Sequence, residues 1–330
     1  MIITKEVKTE KYKILFDGLS GTEILGGING NPDPFILNSP SMIDIGIMGH
    51  CSNNCKICYQ GDLNIPNMKF EDFKSIIKQC KNHINQVALG GKGDPNKHEN
   101  FEDILRFCRV NNVIPNYTTS GHGLTEEEVY ITKMYCGAVA VSHYNQYYTY
   151  NALNMFIEKK MKTNIHFVVS QETFTDAIKI MNGEDIWNEN FPIDKLNAVV
   201  FLLFKPQGNG ADKKHLCLTK DQIIMFSKML LKPKCKFKVG CDSCMINKVS
   251  QVRQLTEVEK LFVDTCEGSR MSCYISPDMK FMPCSFGNKD IYGTQITEDR
   301  PIQMLWDHAI PFKVFRSILR KNSMCCPYDL

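Results

Sequence analysis

Three cysteines, Cys51, Cys55 and Cys58, stand close together in the run Gly49-His50-Cys51-Ser52-Asn53-Asn54-Cys55-Lys56-Ile57-Cys58-Tyr59. Thiolates at such spacing make a ligand set for a metal cluster. A [4Fe-4S] cluster normally takes four cysteines, so a local set of three leaves one iron with a position open to another ligand. That open iron is a place where a reaction can be run. Two plainer readings compete, a zinc loop and a disulfide pair. Zinc usually takes C-x2-C pairs closed by a second pair or by histidines. Disulfides are rare in a reducing compartment, and the start of the chain, Met1 to Phe16, alternates charged with apolar residues and has no signal-peptide core. Fifteen cysteines without an export signal point to metal ligation in the cytoplasm.

Length and charge bound the remaining possibilities. A chain of 330 residues suits one large barrel-like domain with an appendage. A formal net charge of +3 is too small to imply nucleic acid or an anionic membrane as a partner. The basic stretch Lys232 to Lys238 reads as a solvated loop. Ala198 to Phe204, among the longest apolar runs, is far too short to span a membrane.

The elements that must position the cysteines follow a rhythm. Strand-like runs at 42–48, 86–89, 113–118, 138–142, 163–169 and 198–203 alternate with helical patterns at 70–81, 101–110, 125–134, 150–160, 173–181 and 219–231. Six βα units imply a parallel sheet. Thr125 and Glu128 have the spacing of a capping box at one helix start. Several strands put large apolar residues on one face and small or polar ones on the other: Ile43, Ile45 and Ile47 against Asp44 and Gly46, and Ile165 and Phe167 against Asn164 and His166. A closed (β/α)8 barrel fills its interior with bulky branched side chains. The pattern therefore fits an open partial (β/α)6 barrel, with a doubly wound sheet as the alternative. The cysteine loop directly follows the first strand, at the carboxyl edge where parallel α/β folds place their ligands. The expected division is a lead-in over 1–41 whose turn-rich part, Gly26 to Asn38, covers one barrel end, a barrel over 42–231, and a separate module over 232–330. Cys80, Cys108, Cys136 and Cys217 lie singly in apolar patterns and read as buried hydrophobes.

The C-x3-C-x2-C loop, with Ile57 before its last cysteine and Tyr59 after it, resembles the cluster loop of the radical S-adenosylmethionine (SAM) enzymes. The resemblance implies that the open iron chelates the amino and carboxylate groups of SAM, and that an electron from the cluster cleaves SAM to a 5′-deoxyadenosyl radical that takes hydrogen from substrate. It makes Gly90 and Gly91, at the end of the second strand, the counterpart of a Gly-Gly-Glu loop that binds the SAM amino group, although Lys92 stands where the acid is expected and Asp94 follows two residues later. Thr118-Thr119-Ser120-Gly121 resembles a Thr-Asn-Gly turn of the family. Tyr59, Ser120, Ser142, Asn164 and His166 become candidate contacts to SAM or substrate. The loop Lys205 to Gly210 is expected to approach the adenosine end.

The last third holds eight cysteines from Cys235 onward. Cys266, followed by Cys273-Tyr274-Ile275-Ser276-Pro277-Asp278-Met279-Lys280-Phe281-Met282-Pro283-Cys284, resembles the twitch/SPASM extension of radical SAM enzymes, with Met279 replacing the turn glycine of its hairpin. The resemblance implies one auxiliary iron-sulfur cluster, expected to be [4Fe-4S], held by Cys244, Cys266, Cys284 and Cys326, with Cys325 as the competing fourth ligand and Cys241 and Cys273 left free. Relatives with such extensions modify peptides or proteins, which makes a peptide or protein side chain the first substrate expectation. A small metabolite is the alternative, favoured by the shortness of the lead-in, which leaves no room for a leader-peptide recognition domain. A low-potential donor such as flavodoxin or ferredoxin would supply the electron. From another class, a non-catalytic iron-sulfur or zinc-binding interaction protein would need neither the Gly-Gly loop nor a polar barrel face.

Overall fold

A computed structural model describes the chain except for residues 1–3, 20, 54, 145, 185, 188–192, 257–265, 322–325 and 329–330. Its centre is a sheet of ten strands in the order β10-β9-β8-β7-β6-β5-β4-β11-β12-β13. The six expected barrel strands are β4 (Met42–Gly49), β5 (Gln86–Lys92), β6 (Ile114–Thr119), β7 (Val139–Ser142), β8 (Thr163–Val169) and β9 (Ala198–Leu203). All six pair in parallel in sequence order. The sheet is open, so the fold is a partial (β/α)6 barrel.

The helices behind it are α1 (Phe70–Cys80), α2 (Phe101–Val110), α3 (Glu126–Tyr135), α4 (Gln146–Glu158), α5 (Phe174–Asn182) and α6 (Lys220–Leu231). Helix α1 buries Phe73, Ile76, Ile77 and Cys80, and α2 buries Phe101, Ile104, Leu105 and Cys108, the i, i+3, i+4, i+7 stripe of a helix lying on a sheet. The opposing sheet face supplies Ile43, Ile45 and Ile47, all fully buried. Thr125 and Glu128 form the reciprocal capping box in full. Helix α4 starts four residues before its apolar stripe suggests, because its first turn carries the exposed Tyr147. Cys80, Cys108 and Cys136 are buried, but Cys217 is only half-buried, in an extended link whose carbonyl accepts from the Gln171 side chain at 3.0 Å.

Beyond the six units the sheet grows at both sides. Strand β10 (Lys238–Cys241) adds in parallel to β9, and leads into α7 (Ser243–Val252) through Asp242, whose carboxylate accepts the Met245 amide at 2.9 Å. On the other side β11 (Ser272–Ile275) lies parallel to β4 and turns back through β12 (Lys280–Met282), with β13 (Thr294–Gln295) outside it. The β11–β12 turn places Met279 at φ +62°, the left-handed conformation usually given to glycine. A short helix α8 (Lys289–Tyr292) follows, then α9 (Ile302–His308) and α10 (Ile310–Lys321), which bury Trp306, Phe312 and Phe315. Phe312 stacks on Phe281 of β12 at 4.5 Å.

The first residues form a separate antiparallel sheet of β1 (Thr4–Lys8), β2 (Tyr12–Asp17) and β3 (Thr22–Gly27). Its β2–β3 turn, rather than the stretch from Gly26 to Asn38, covers the amino end of the barrel: Lys162 donates to the Leu19 carbonyl at 2.8 Å, and Asn85 to Glu23 at 2.6 Å. The turn-rich stretch lies instead against the C-terminal third. There the Trp306 indole donates to the Leu37 carbonyl at 3.0 Å, and Arg270 to that of Phe35 at 2.9 Å.

Candidate functional site

The loop after β4 carries Cys51, Cys55 and Cys58, all half-buried, and is held by its own turns. Cys58 donates its amide to the Cys55 carbonyl at 3.2 Å, and Gly61 to that of Cys58 at 3.1 Å. The Asn53 amide points at the Cys51 sulfur at 3.3 Å. Burial pushes the Cys55 thiol up to about 11, and the neighbouring Cys58 and Cys51 thiols push in the same direction. A cation bound among the three would offset that penalty at Cys55, since metal binding favours the thiolate.

Four other strand-end loops grip this one. After β9, Asn209 donates its amide to the Cys58 carbonyl at 2.9 Å and its side chain to the Cys55 carbonyl at 3.0 Å. Lys92, ending β5, donates to the Gly61 carbonyl. Asp94 accepts from the Ser120 amide at 2.7 Å and its hydroxyl at 2.6 Å, and Ser120 in turn accepts from Asn53 at 2.9 Å. The Tyr144 hydroxyl, past β7, accepts the Lys56 amide at 3.0 Å. Lys92 and Asp94, the two departures from a Gly-Gly-Glu pattern, thus both serve to fix the cysteine loop.

Glycines make the close approaches possible. Gly208 has φ +55°, and a Cβ there would lie 2.3 Å from the Cys58 carbonyl oxygen. Gly91 has φ +108° and would put a Cβ 2.2 Å from the Met48 carbonyl. A Cβ on Gly90 would meet nothing within 4 Å, so the sheet edge beside the cysteine loop is open there. Gly208→Ala is expected to cost roughly 1–3 kcal/mol of stability, from left-handed strain and the displaced Cys58 loop. Gly90→Ala should stay within about 0.5 kcal/mol of the parent. Denaturant unfolding of the two variants measures the contrast, and equal stabilities would contradict this account of the clamp.

The remaining candidates are spread over the barrel. Ser142 is half-buried at the end of β7, and its carbonyl accepts from Thr149 at 3.0 Å. Asn164 and His166 lie on β8 and line a cavity of about 400 Å³ at the amino ends of the strands, with Gln86, Asn116 and Lys162. Asn164 accepts from Asn197 at 2.7 Å. The His166 ring is 3.3 Å from the Thr118 hydroxyl, and burial holds its pKa down at about 4, so it is neutral. Tyr59 turns the other way and meets Phe286 at 4.7 Å.

Phe286 belongs to a second group of thiols. Cys244 at the start of α7, Cys266, Cys284 after β12, and Cys326 beyond α10 come from four separate segments and are electrostatic neighbours of one another. Burial raises all of the first three, Cys244 to about 12 and Cys266 to about 11. Backbone amides of Gly268 and Phe286 donate to the Cys266 and Cys284 sulfurs, which favours the thiolate forms. Phe315, Leu319 and Tyr328 wall the group. Cys273 is elsewhere, buried on β11 beside Cys80, and Cys241 is half-buried on β10. Cys325 lies outside the described residues.

Among the described residues no three His, Cys, Asp or Glu side chains converge tightly enough for a single metal ion. Tetrahedral zinc would need its sulfurs roughly 3.8 Å apart, from Zn–S bonds near 2.3 Å. A four-iron cluster spreads its thiolates wider, one to each iron, and so asks for thiols that are neighbours without converging on one point. A cavity of about 590 Å³ is lined by Tyr59, next to Cys58, and by Phe286, two residues after Cys284, together with Gln207, Tyr274, Asp278 and Lys289. Sequence reading missed the grip of Asn209, Asn53 and Tyr144 on the cysteine loop, since none of these residues has a local signal for it.

No family model and no curated protein matches the sequence. Solved structures do match in fold. SuiB of Streptococcus suis bound to precursor peptide SuiA superposes with a TM-score of 0.70 at 13% identity, over 95% of this chain and 91% of that one. SuiB bound to S-adenosylmethionine gives 0.63 at 15% identity, over 86% and 69%. Native anSMEcpe with bound AdoMet and Cp18Cys peptide gives 0.59 at 17% identity, over 83% and 82%. The open parallel barrel, its cysteine loop at the carboxyl edge and these superpositions together establish that this chain has the fold of the radical SAM enzymes.

Proposed function

We propose that this chain is a radical SAM enzyme with an auxiliary iron-sulfur cluster, acting on a peptide or protein side chain. The observation that carries the reading is the gathering of Cys51, Cys55 and Cys58 on one loop that four other βα loops clamp at the carboxyl edge of the barrel. When bound there with SAM, a [4Fe-4S] cluster with an open iron supplies the electron that cleaves SAM to a 5′-deoxyadenosyl radical. The residues of the chain bind and orient. Gly90, which has open space above it, and Gly91 offer backbone to the SAM amino group, with Ser120 and Ser142 at neighbouring strand ends and Tyr59 beside Cys58. Asn164 and His166 are assigned to the deep, polar side of the barrel, where neutral imidazole can accept or donate one hydrogen bond without adding charge.

Cys244, Cys266, Cys284 and Cys326 are assigned to the auxiliary cluster, in a module counted from residue 232. The cavity lined by Tyr59, next to Cys58, and by Ser285 and Phe286, just after Cys284, is where substrate would lie, because its walls come from the segments that carry both thiol groups. Its aromatic walls, with Asp278 and Lys289 ion-paired at 3.7 Å on one side, suit an amino-acid side chain with polar backbone around it. A peptide substrate is further supported by the fold shared with SuiB and anSMEcpe, whose structures hold peptides. A low-potential flavodoxin or ferredoxin is the proposed donor. No helix among the described residues is long and apolar enough to cross a membrane.

Anaerobically reconstituted protein, given dithionite and SAM, is expected to release 5′-deoxyadenosine and methionine. Liquid chromatography of the quenched mixture reads both. Failure of fully iron-loaded protein to release them, with candidate peptides present, would remove the reading.

A further inference from the structure

Lys205 is the second residue past β9, and only 6% of its surface is exposed. Its ammonium lies 2.6 Å from Asp242 and 4.1 Å from the centre of the Phe286 ring. Asp242 is two residues before Cys244, and Phe286 two residues after Cys284, so the cation is wedged between the segments that deliver two of the four thiols. Burial works against its charge, but Asp242, Cys244 and Cys284 outweigh that and hold Lys205 above the usual lysine range. At the Cys244 sulfur, Lys205 acts more strongly than Asp242 does.

Burying an ammonium costs several kcal/mol unless it is compensated. The fold does not need Lys205 to stabilise Asp242 as a helix cap, because that carboxylate already accepts the Met245 amide at 2.9 Å and the Leu203 amide at 3.3 Å. Besides Asp242, the groups that act on the cation are the Cys244 and Cys284 thiols, whose segments Asp242 and Phe286 hold against it. On the opposite side, Arg270 reaches the Cys266 carbonyl at 3.0 Å, with Glu267 offsetting its charge at Cys266.

We propose that Lys205 tunes the auxiliary cluster, its buried ammonium stabilising the reduced state of iron held by Cys244, Cys266, Cys284 and Cys326. The inference rests on the auxiliary-cluster assignment above. A four-thiolate [4Fe-4S] cluster is anionic and gains one more negative charge on reduction. A fixed cation in a low-dielectric site therefore stabilises the reduced form more than the oxidised one. Asp242 acts with the opposite sign and from a less favourable position. The pair thus makes opposed, separable contributions to one potential.

The test uses the chain with Cys51, Cys55 and Cys58 replaced by alanine, so that the auxiliary site is the remaining cluster. Iron content and a dithionite titration followed by electron paramagnetic resonance are read for Lys205→Met, Lys205→Arg and Asp242→Asn. At a fixed potential, Lys205→Met should lower the reduced-to-oxidised ratio about ten-fold, which for a one-electron couple is about 59 mV. Asp242→Asn keeps the cap and, in the loaded protein, leaves the anionic cluster as the counter-charge that holds Lys205 protonated, so it should raise the ratio, while Lys205→Arg should stay within about two-fold of the parent. A purely structural pair would not give opposite signs. Loaded Lys205→Met and Asp242→Asn proteins whose ratios are unmoved, or move the same way, overturn the proposal. Should Lys205→Met fail to fold, the sign of the Asp242→Asn shift decides by itself. A parent that binds no iron at this site overturns the cluster assignment and the inference with it, whereas a loaded parent with insensitive variants overturns the inference alone.

Discussion

Replacing Cys51, Cys55 and Cys58 together by alanine is expected to halve the iron of the reconstituted protein, from about eight to about four atoms per chain, and to abolish 5′-deoxyadenosine release. The two thiol groups share no residue. Cys55 has Cys51 and Cys58 as its thiol neighbours, whereas Cys284 has Cys244, Cys266 and Cys326. The clamps on the first loop bind mostly its backbone and the Asn53 side chain, so the triple variant loses the Tyr144 bond to the Cys55 thiol but keeps the Asn209, Ser120 and Tyr144–Lys56 contacts and should fold. Iron analysis and cluster absorbance of anaerobically purified protein measure the first outcome, and nucleoside release the second. Loss of all iron would mean that the second group cannot assemble a cluster by itself. Undiminished nucleoside release would remove the catalytic assignment.

On that triple-alanine background, Cys284→Ala is expected to empty the remaining site, and Cys273→Ala to leave it at about four irons. The two residues flank one hairpin, Cys273 buried and Cys284 half-buried, and exposure by itself does not make either a ligand. Their neighbours distinguish them. Cys284 receives the Phe286 amide and faces three other thiols, while Cys273 faces Cys80 and Asp44 across the β4–β11 pairing. Cys273→Ala should behave as a small core truncation, costing on the order of 1 kcal/mol. Cys326→Ala should lower occupancy and also loosen the tail, leaving ring contacts among its described residues: Tyr328 meets Phe315 at 5.1 Å and Tyr292 at 4.8 Å. Proteolysis near the C-terminus reads that loosening. If Cys273→Ala empties the site and Cys284→Ala does not, the ligand set is misassigned.

The barrel units were legible because each is encoded over short distances. The i, i+3, i+4, i+7 stripes of α1 and α2 and the alternation of β8 are local patterns, and β8 and β9 begin and end where the patterns do. The capping box at Thr125 is local in the same sense. Where expectation and structure diverge, the cause is an interaction between segments far apart in sequence. Strands β10 and β11 are short, and nothing in their four residues specifies β9 or β4 as a partner. The β2–β3 turn covers the barrel's amino end because Lys162 and Asn85 meet it there, which no pattern in the first thirty residues announces.

The same division separates the two thiol groups. Cys51, Cys55 and Cys58 stay within roughly 25 Å of one another in any fold, since seven residues of chain reach no further, and the parallel βα rhythm already places them on one loop at the carboxyl edge. Sequence by itself therefore determined a barrel with a thiol loop at its mouth. Cys244, Cys266, Cys284 and Cys326 are separated by up to 82 positions, and spacing alone leaves their convergence undetermined. Tertiary structure decided it. The pairing of β10 with β9 brings in Cys244, the hairpin beside β4 brings in Cys284, and the Tyr328 contacts bring back the tail. It also decided that Lys205 and Asp242, 37 residues apart, meet at 2.6 Å, because the chain can close such loops at little extra entropic cost only after the sheet has fixed both ends.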